Sequence, residues 1–184
     1  MKDLITIGIA LLLVSCADPV RDKIIDDLGE ENPAVPPGEY HRPGQPCLAC
    51  HTNYRGDEPI MSLGGTVYVR KADGEFFAAG GVTVRVIDSE GQIRETVTNC
   101  IGNFYVSKEE WDPAFPLQAL LSGPSATDPN TIIGLRNMES RIARDGSCAG
   151  CHTNPPSPSS PGVVFIDDGT GDFAPPGAEC PGAT

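Results

Sequence analysis

Between residues 62 and 122 apolar and polar side chains alternate. Thr66-Val67-Tyr68-Val69, Val82-Thr83-Val84-Arg85-Val86-Ile87 and Ile93-Arg94-Glu95-Thr96-Val97-Thr98 are rich in β-branched residues. A period of two turns one set of side chains toward a core and the other toward water. Asp73-Gly74 and Asp88-Ser89-Glu90-Gly91 mark turns between these segments. Phe104-Tyr105-Val106 and residues 117–121 add two more strand candidates. Strands about ten residues apart predict a small antiparallel β-sandwich, so the chain reads as mainly β. The flanks read differently. Residues 20–28 suit one or two helical turns, and the Pro-rich stretch 17–46 reads as a tether. Met138 and Ile142, four apart and followed by Gly146, predict a short helix within 132–145. Residues 155–161 form a Pro-rich loop, and 163–166 suit a last strand. At the other end, residues 4–14 form an apolar run in which Thr6 is the only polar side chain. That run is too short to span a bilayer and has the length of a signal-peptide core.

Composition narrows the picture. With 21 glycines and 18 prolines in 184 residues, long helical architectures are disfavoured. Aromatics at 6% leave a modest core, so a metal, disulfide or cofactor is expected to support the fold. The net charge of −12 excludes nucleic acid as a partner, because phosphate binding needs Lys and Arg. It suits partners that present basic patches.

The cysteines carry the chemistry. Cys47-Leu-Ala-Cys50-His51 and Cys148-Ala-Gly-Cys151-His152 repeat one pattern, C-x-x-C-H, and both continue Thr-Asn. This is the attachment signature of c-type haem. Two thiols three residues apart on one turn can reach the two vinyl groups of a porphyrin edge, and the adjacent His can bind the iron. Cys47, Cys50, Cys148 and Cys151 are therefore the expected attachment residues, and His51 and His152 the expected proximal iron ligands, for two haems. The alternatives are a zinc site and a redox-active or structural disulfide. Zinc ribbons place their C-x-x-C pairs 15–20 residues apart, far closer than these. A thioredoxin-like site does not call for two copies each followed by His.

Three resemblances add to this reading. Leu13-Val14-Ser15-Cys16 resembles the lipobox of bacterial lipoproteins, which implies cleavage before Cys16 and lipidation of that residue. Acyl chains would then hold the domain at a membrane. Ala17, rather than Asp, after the lipidated position leans toward the outer membrane. Setting aside Cys16 and the four motif thiols leaves Cys100 and Cys180, which suggests a disulfide in an oxidising compartment. Gly65-Thr66-Val67-Tyr68, Gly81-Val82-Thr83-Val84 and Thr98-Asn99-Cys100-Ile101-Gly102-Asn103-Phe104 resemble the carboxypeptidase-regulatory or transthyretin-like β-sandwich family. That likeness carries a fold and no catalytic residue. The two C-x-x-C-H motifs together resemble exported multihaem cytochromes of Gram-negative bacteria.

The sixth iron ligands remain to be found. Only one other histidine exists, His41, six residues before Cys47. It is expected to ligate an iron, of either haem or of a neighbouring molecule. The other iron takes Met138, Met61 or nothing, with packing against a porphyrin as the alternative role of each thioether.

The expected organisation is a signal segment at 1–15, a tether at 16–43, a first haem segment at 44–61, the sandwich at 62–135, a second haem segment at 136–161 and a tail at 162–184. The expected function is one-electron transfer between redox protein partners in the cell envelope by a lipid-anchored dihaem cytochrome, not an enzyme. The sandwich would serve as a rigid spacer or docking platform. Two rivals are a subunit of a haem-stacking extracellular filament and a dihaem peroxidase. The peroxidase would need distal acid–base groups, and no histidine beyond His41 is left to supply them.

Overall fold

Where the alternation is strict, strands form with little displacement. The computed structural model describes residues 18–35, 37–54, 56–70, 74–124, 128, 131–154 and 157–167. The apolar run 4–14 and the expected lipidation site Cys16 lie outside them, as does Cys180. The chain divides into two units, Met1–Glu30 and Glu31–Thr184. The first contributes helix α1 (Pro19–Asp27), with Pro19 in its first turn and the Asp18 side chain accepting from the Arg21 N–H at 3.1 Å. None of its residues is buried.

Among its described residues the second unit holds a one-turn helix α2 (Cys47–Cys50) and eight strands. These are β1 (Met61–Arg70), β2 (Phe76–Ala78), β3 (Thr83–Ile87), β4 (Ile93–Val97), β5 (Asn103–Ser107), β6 (Gln118–Pro124), β7 (Ile132–Asn137) and β8 (Val164–Asp167). One sheet runs β2-β1-β5 with β8 joined to β1; the other runs β4-β3-β6-β7. The molecule is mainly β, a small two-sheet sandwich. Val84 and Val86 of β3 turn inward while Arg85 and Ile87 face water. They meet Leu63, Val67 and Val69 of β1, Phe104 and Val106 of β5, Leu121 of β6 and Ile166 of β8. Each such side chain stabilises the fold by about 1.5–3 kcal/mol on burial.

Strand β1 is the hub. Its first half pairs with β5, from Met61↔Ser107 to Thr66↔Asn103. Its second half pairs antiparallel with β2 and parallel with β8, as in Tyr68↔Ala78 and Tyr68↔Phe165. The parallel pairing departs from the all-antiparallel expectation, and it draws a strand from beyond the second C-x-x-C-H motif into the sandwich. Phe165 on β8 is covered by the guanidinium groups of Arg70 and Arg136, 4.4 and 4.1 Å from its ring centre. That stack ties β1 and β8 to β7 of the other sheet.

The helix expected within 132–145 is absent. Residues 132–137 are strand β7, paired antiparallel with β6 from Pro124↔Ile132 to Leu120↔Asn137. Ile142, extended, exchanges main-chain hydrogen bonds with Leu117 at 2.9 Å in both directions. Two β-branched residues followed by Gly134 disfavour a helix, and the open edge of β6 offered a partner. Strand β2 was not foreseen; three residues are too short to show a period.

Candidate cofactor site

Both C-x-x-C-H motifs fold into one tight turn. The first is helix α2, with the His51 N–H donating to the Cys47 carbonyl at 3.0 Å. The second is a 3-10 turn at Cys148–Gly150, with the His152 N–H donating to the Cys148 carbonyl at 2.8 Å. The same main-chain bond thus closes both motifs and sets each His directly beyond its pair of thiols. None of the four motif cysteines is in a disulfide. Cys100 is disulfide-bonded, so that bond uses neither motif. Its expected partner Cys180 is outside the described residues.

The sandwich brings the two turns together. A Cβ built on Gly64 would lie 3.2 Å from Cys47 Cβ and 3.4 Å from its Sγ. A Cβ built on Gly65 would lie 2.7 Å from Cys148 Cβ and 3.0 Å from its Sγ. Gly65 alternates with the inward residues Leu63, Val67 and Val69, and Cys148 packs against the core. Gly64 faces the other way, with Thr66 and Tyr68. The first Cys of each motif therefore lies against β1, on opposite faces, at consecutive residues. At Gly65 only glycine leaves room for this approach, while at Gly64 a Cβ would be tight. A hydrogen bond from the Gly64 N–H to the Gly146 carbonyl, at 3.0 Å, lays the second motif along the edge of β1. Strand β1 thus runs beside the first cysteine of both motifs.

Burial sets the protonation of these thiols. It pushes the Cys47 thiol up, with a smaller contribution from Cys50. Burial pushes Cys148 up to about 12, helped by the neighbouring Cys47, Asp145 and Cys151. Both are neutral thiols at pH 7. The second cysteine of the second motif, Cys151, is exposed.

The histidines share one feature that the spacing of the sequence does not reveal. His51 Nδ1 donates to the carbonyls of Asp57 and Pro59 at 3.2 and 3.1 Å. His152 Nδ1 donates to the Gly162 carbonyl at 2.9 Å. His41 Nδ1 donates to the Gly38 carbonyl. A carbonyl can only accept, so each Nδ1 is the donor, and in the neutral ring that tautomer leaves the lone pair on Nε2. A metal-ligating imidazole needs this tautomer, fixed by an outer partner.

His41 faces His51. Their ring centres are 5.7 Å apart with 43° between the planes. Two imidazoles binding one metal from opposite sides through Nε2 have ring centres about 6 Å apart, given bonds of about 2 Å. His51 is buried and His41 half-buried. Met138 follows β7 rather than lying on a helix. Its N–H donates to the Ala119 carbonyl at 3.0 Å, and its own carbonyl accepts from Gln118 Nε2. Among the described residues no hydrogen bond or ring contact joins it to His152. Met61 starts β1, and its N–H donates to the His51 carbonyl at 3.1 Å.

Among the described residues no three His, Cys, Asp or Glu side chains converge on one point. A structural zinc site would need four such donors. Each motif sets two thiols beside one His. Among the described residues no helix is long and apolar enough to cross a membrane. Compared with known proteins, the chain matches no family model, no curated protein and no solved structure.

Proposed function

We propose that this chain is a dihaem c-type cytochrome that passes single electrons between protein partners in the cell envelope. The observation that carries the reading is the convergence of the two C-x-x-C-H turns on Gly64 and Gly65 of one strand. Cys47 and Cys50 would hold one haem and Cys148 and Cys151 the other, through thioether bonds. His51 and His152 would bind the irons through Nε2. His41, whose ring centre lies 5.7 Å from that of His51, would complete the first iron's axial pair. The cofactor supplies an iron that cycles between ferric and ferrous states, its potential set by axial ligands and burial.

The chain's own residues do the rest. The carbonyls of Asp57, Pro59 and Gly162 would orient the proximal rings. The glycine pair lets the two attachment turns approach from opposite faces of β1, which suits electron exchange between the sites. Lipidation at Cys16 would keep the domain at a membrane, the outer membrane by the residue that follows it. A surface with net charge −12 would dock basic patches on redox partners. A Cys100–Cys180 bridge would tie the tail to the turn before β5.

Absorption spectra of the purified protein, oxidised and reduced, test this reading. Two haems per chain that reduce and reoxidise reversibly are expected. Cys50→Ser and Cys151→Ser should each halve the haem content. A colourless chain, or one that binds zinc in place of haem, would overturn the proposal.

A further inference from the structure

The loop that carries His41 is built of tight turns, with the His41 N–H donating to the Gly38 carbonyl and the Gln45 N–H to the Arg42 carbonyl, each at 3.3 Å. Gly38 and Gly44 have φ of 131° and 76°, and Arg42 adopts a left-handed φ of 50°, uncommon for a residue with a side chain. The loop is also held from outside, by Asn99 in the turn between β4 and β5 and by Asn103 at the start of β5. Asn103 Nδ2 donates to the carbonyls of His41 and Glu39 at 3.0 and 3.2 Å. Asn99 Nδ2 donates to the Glu39 carbonyl at 2.7 Å. Thr66 Oγ1 donates to Asn103 Oδ1 and accepts from the Gly44 N–H, each at 2.7 Å.

Every member of this clamp is itself fixed. Thr66 and Asn103 are direct cross-strand partners in β1 and β5. With its hydroxyl proton committed to Oδ1, Thr66 determines which end of the Asn103 amide faces the loop. Asn99 Oδ1 accepts from the N–H groups of Ile101 and Asn103 at 3.2 and 3.0 Å, which locks that turn. A Cβ at Gly44 would come within 2.6 Å of Tyr68 Oη, so the loop also sits tightly on the outer face of β1.

We infer that Asn103, supported by Asn99 and Thr66, is the positioning residue that sets His41 opposite His51. The inference rests on the reading of His41 as the sixth ligand of the first haem. Asn103 bonds the main-chain carbonyl of His41 itself, and its amide donors go to this loop. A sixth ligand must be placed within a few tenths of an ångström, which a loop without anchors does not achieve.

The test is Asn103→Asp in the purified dihaem protein. The change keeps the size and the acceptor for Thr66, but it turns an oxygen toward two carbonyls in place of two donors. The high-spin fraction of the ferric first haem should rise about tenfold or more, and carbon monoxide should bind its reduced form. Free imidazole should restore the low-spin spectrum, because His51 is untouched. The second haem should keep its spectrum. Asn99→Asp, which removes one donor, should give a smaller change in the same direction. It also decides the matter if Asn103→Asp does not fold. Wild-type low-spin spectra in both variants, with His41→Ala converting the first haem to high-spin, would overturn the clamp while leaving the ligand in place. A first haem that stays low-spin in His41→Ala would overturn the ligand reading, and the clamp with it.

Discussion

A single methyl group probes the contact on which both motifs depend. At Gly65 it would meet Cys148 Cβ at 2.7 Å and Phe104 Cε1 at 3.2 Å, so the second motif or the core must shift. At Gly64 the nearest atom is 3.2 Å away. Gly65→Ala should therefore destabilise the protein by about 1–3 kcal/mol, and Gly64→Ala by less. Gly65→Ala should also lower haem content at Cys148 and Cys151 before it affects Cys47 and Cys50. Denaturant unfolding and haem stoichiometry of the two variants check the order. At this scale the two matching turns at residues 47–51 and 148–152 were legible, because C-x-x-C-H is a local pattern. The Nδ1 acceptors were not, since Asp57, Pro59, Gly162 and Gly38 serve through carbonyls that any residue carries. Asn99 and Asn103 were visible only as part of a fold motif; their donors reach Glu39 and His41, some sixty residues away.

The β3–β4 hairpin is closed by a buried acid. Asp88 Oδ1 accepts from the N–H groups of Glu90 and Gln92 at 2.9 and 2.8 Å, and Oδ2 from Ala114 at 3.2 Å. Burial alone would raise its pKa, but main-chain donors at Gln92, Ala114, Glu90 and Gly91 outweigh it and hold it below the ordinary 3.8. As pH falls, the unfolded chain takes up this proton first. The carboxylate thus stabilises the fold above about pH 4, and that contribution is lost as pH drops through the folded pKa. Asp88→Asn should lower the urea midpoint at pH 7, with a gap to wild type that narrows toward pH 3. A gap that does not change with pH would contradict this. Asp88-Ser89-Glu90-Gly91 was readable as a turn because its residue types are those of turns. The segment 132–137 was misread because Met138 and Ile142 mimic a helical face while the Ile132-Ile133-Gly134 stretch before them prefers β6. Pairing across a sheet edge is a long-range choice, and local spacing does not encode it.

For the molecule as a whole, the two-sheet sandwich followed from alternation and turn chemistry, but its use did not. Nothing local in the sequence places Cys148 beside Gly65, or residues 164–167 parallel to β1. Those contacts arise from the way β1 pairs on both edges. The charge of −12 was plain from the start and carries its own expectation. Electron exchange with a cationic redox reagent should outpace that with an anionic one of equal driving force. The difference should shrink as salt rises above about 0.1 M, where the screening length falls below about 10 Å. Stopped-flow rates at two ionic strengths check this, and equal rates at low salt would count against electrostatic docking. The central claim is that both motifs carry covalent haem on one chain. The intact mass of the exported, purified protein after denaturation tests it most directly. The account predicts the chain plus two haems, falling to one haem in Cys50→Ser,His51→Ala and likewise in Cys151→Ser,His152→Ala. The mass of the bare chain, or of one haem in the wild type, would contradict it.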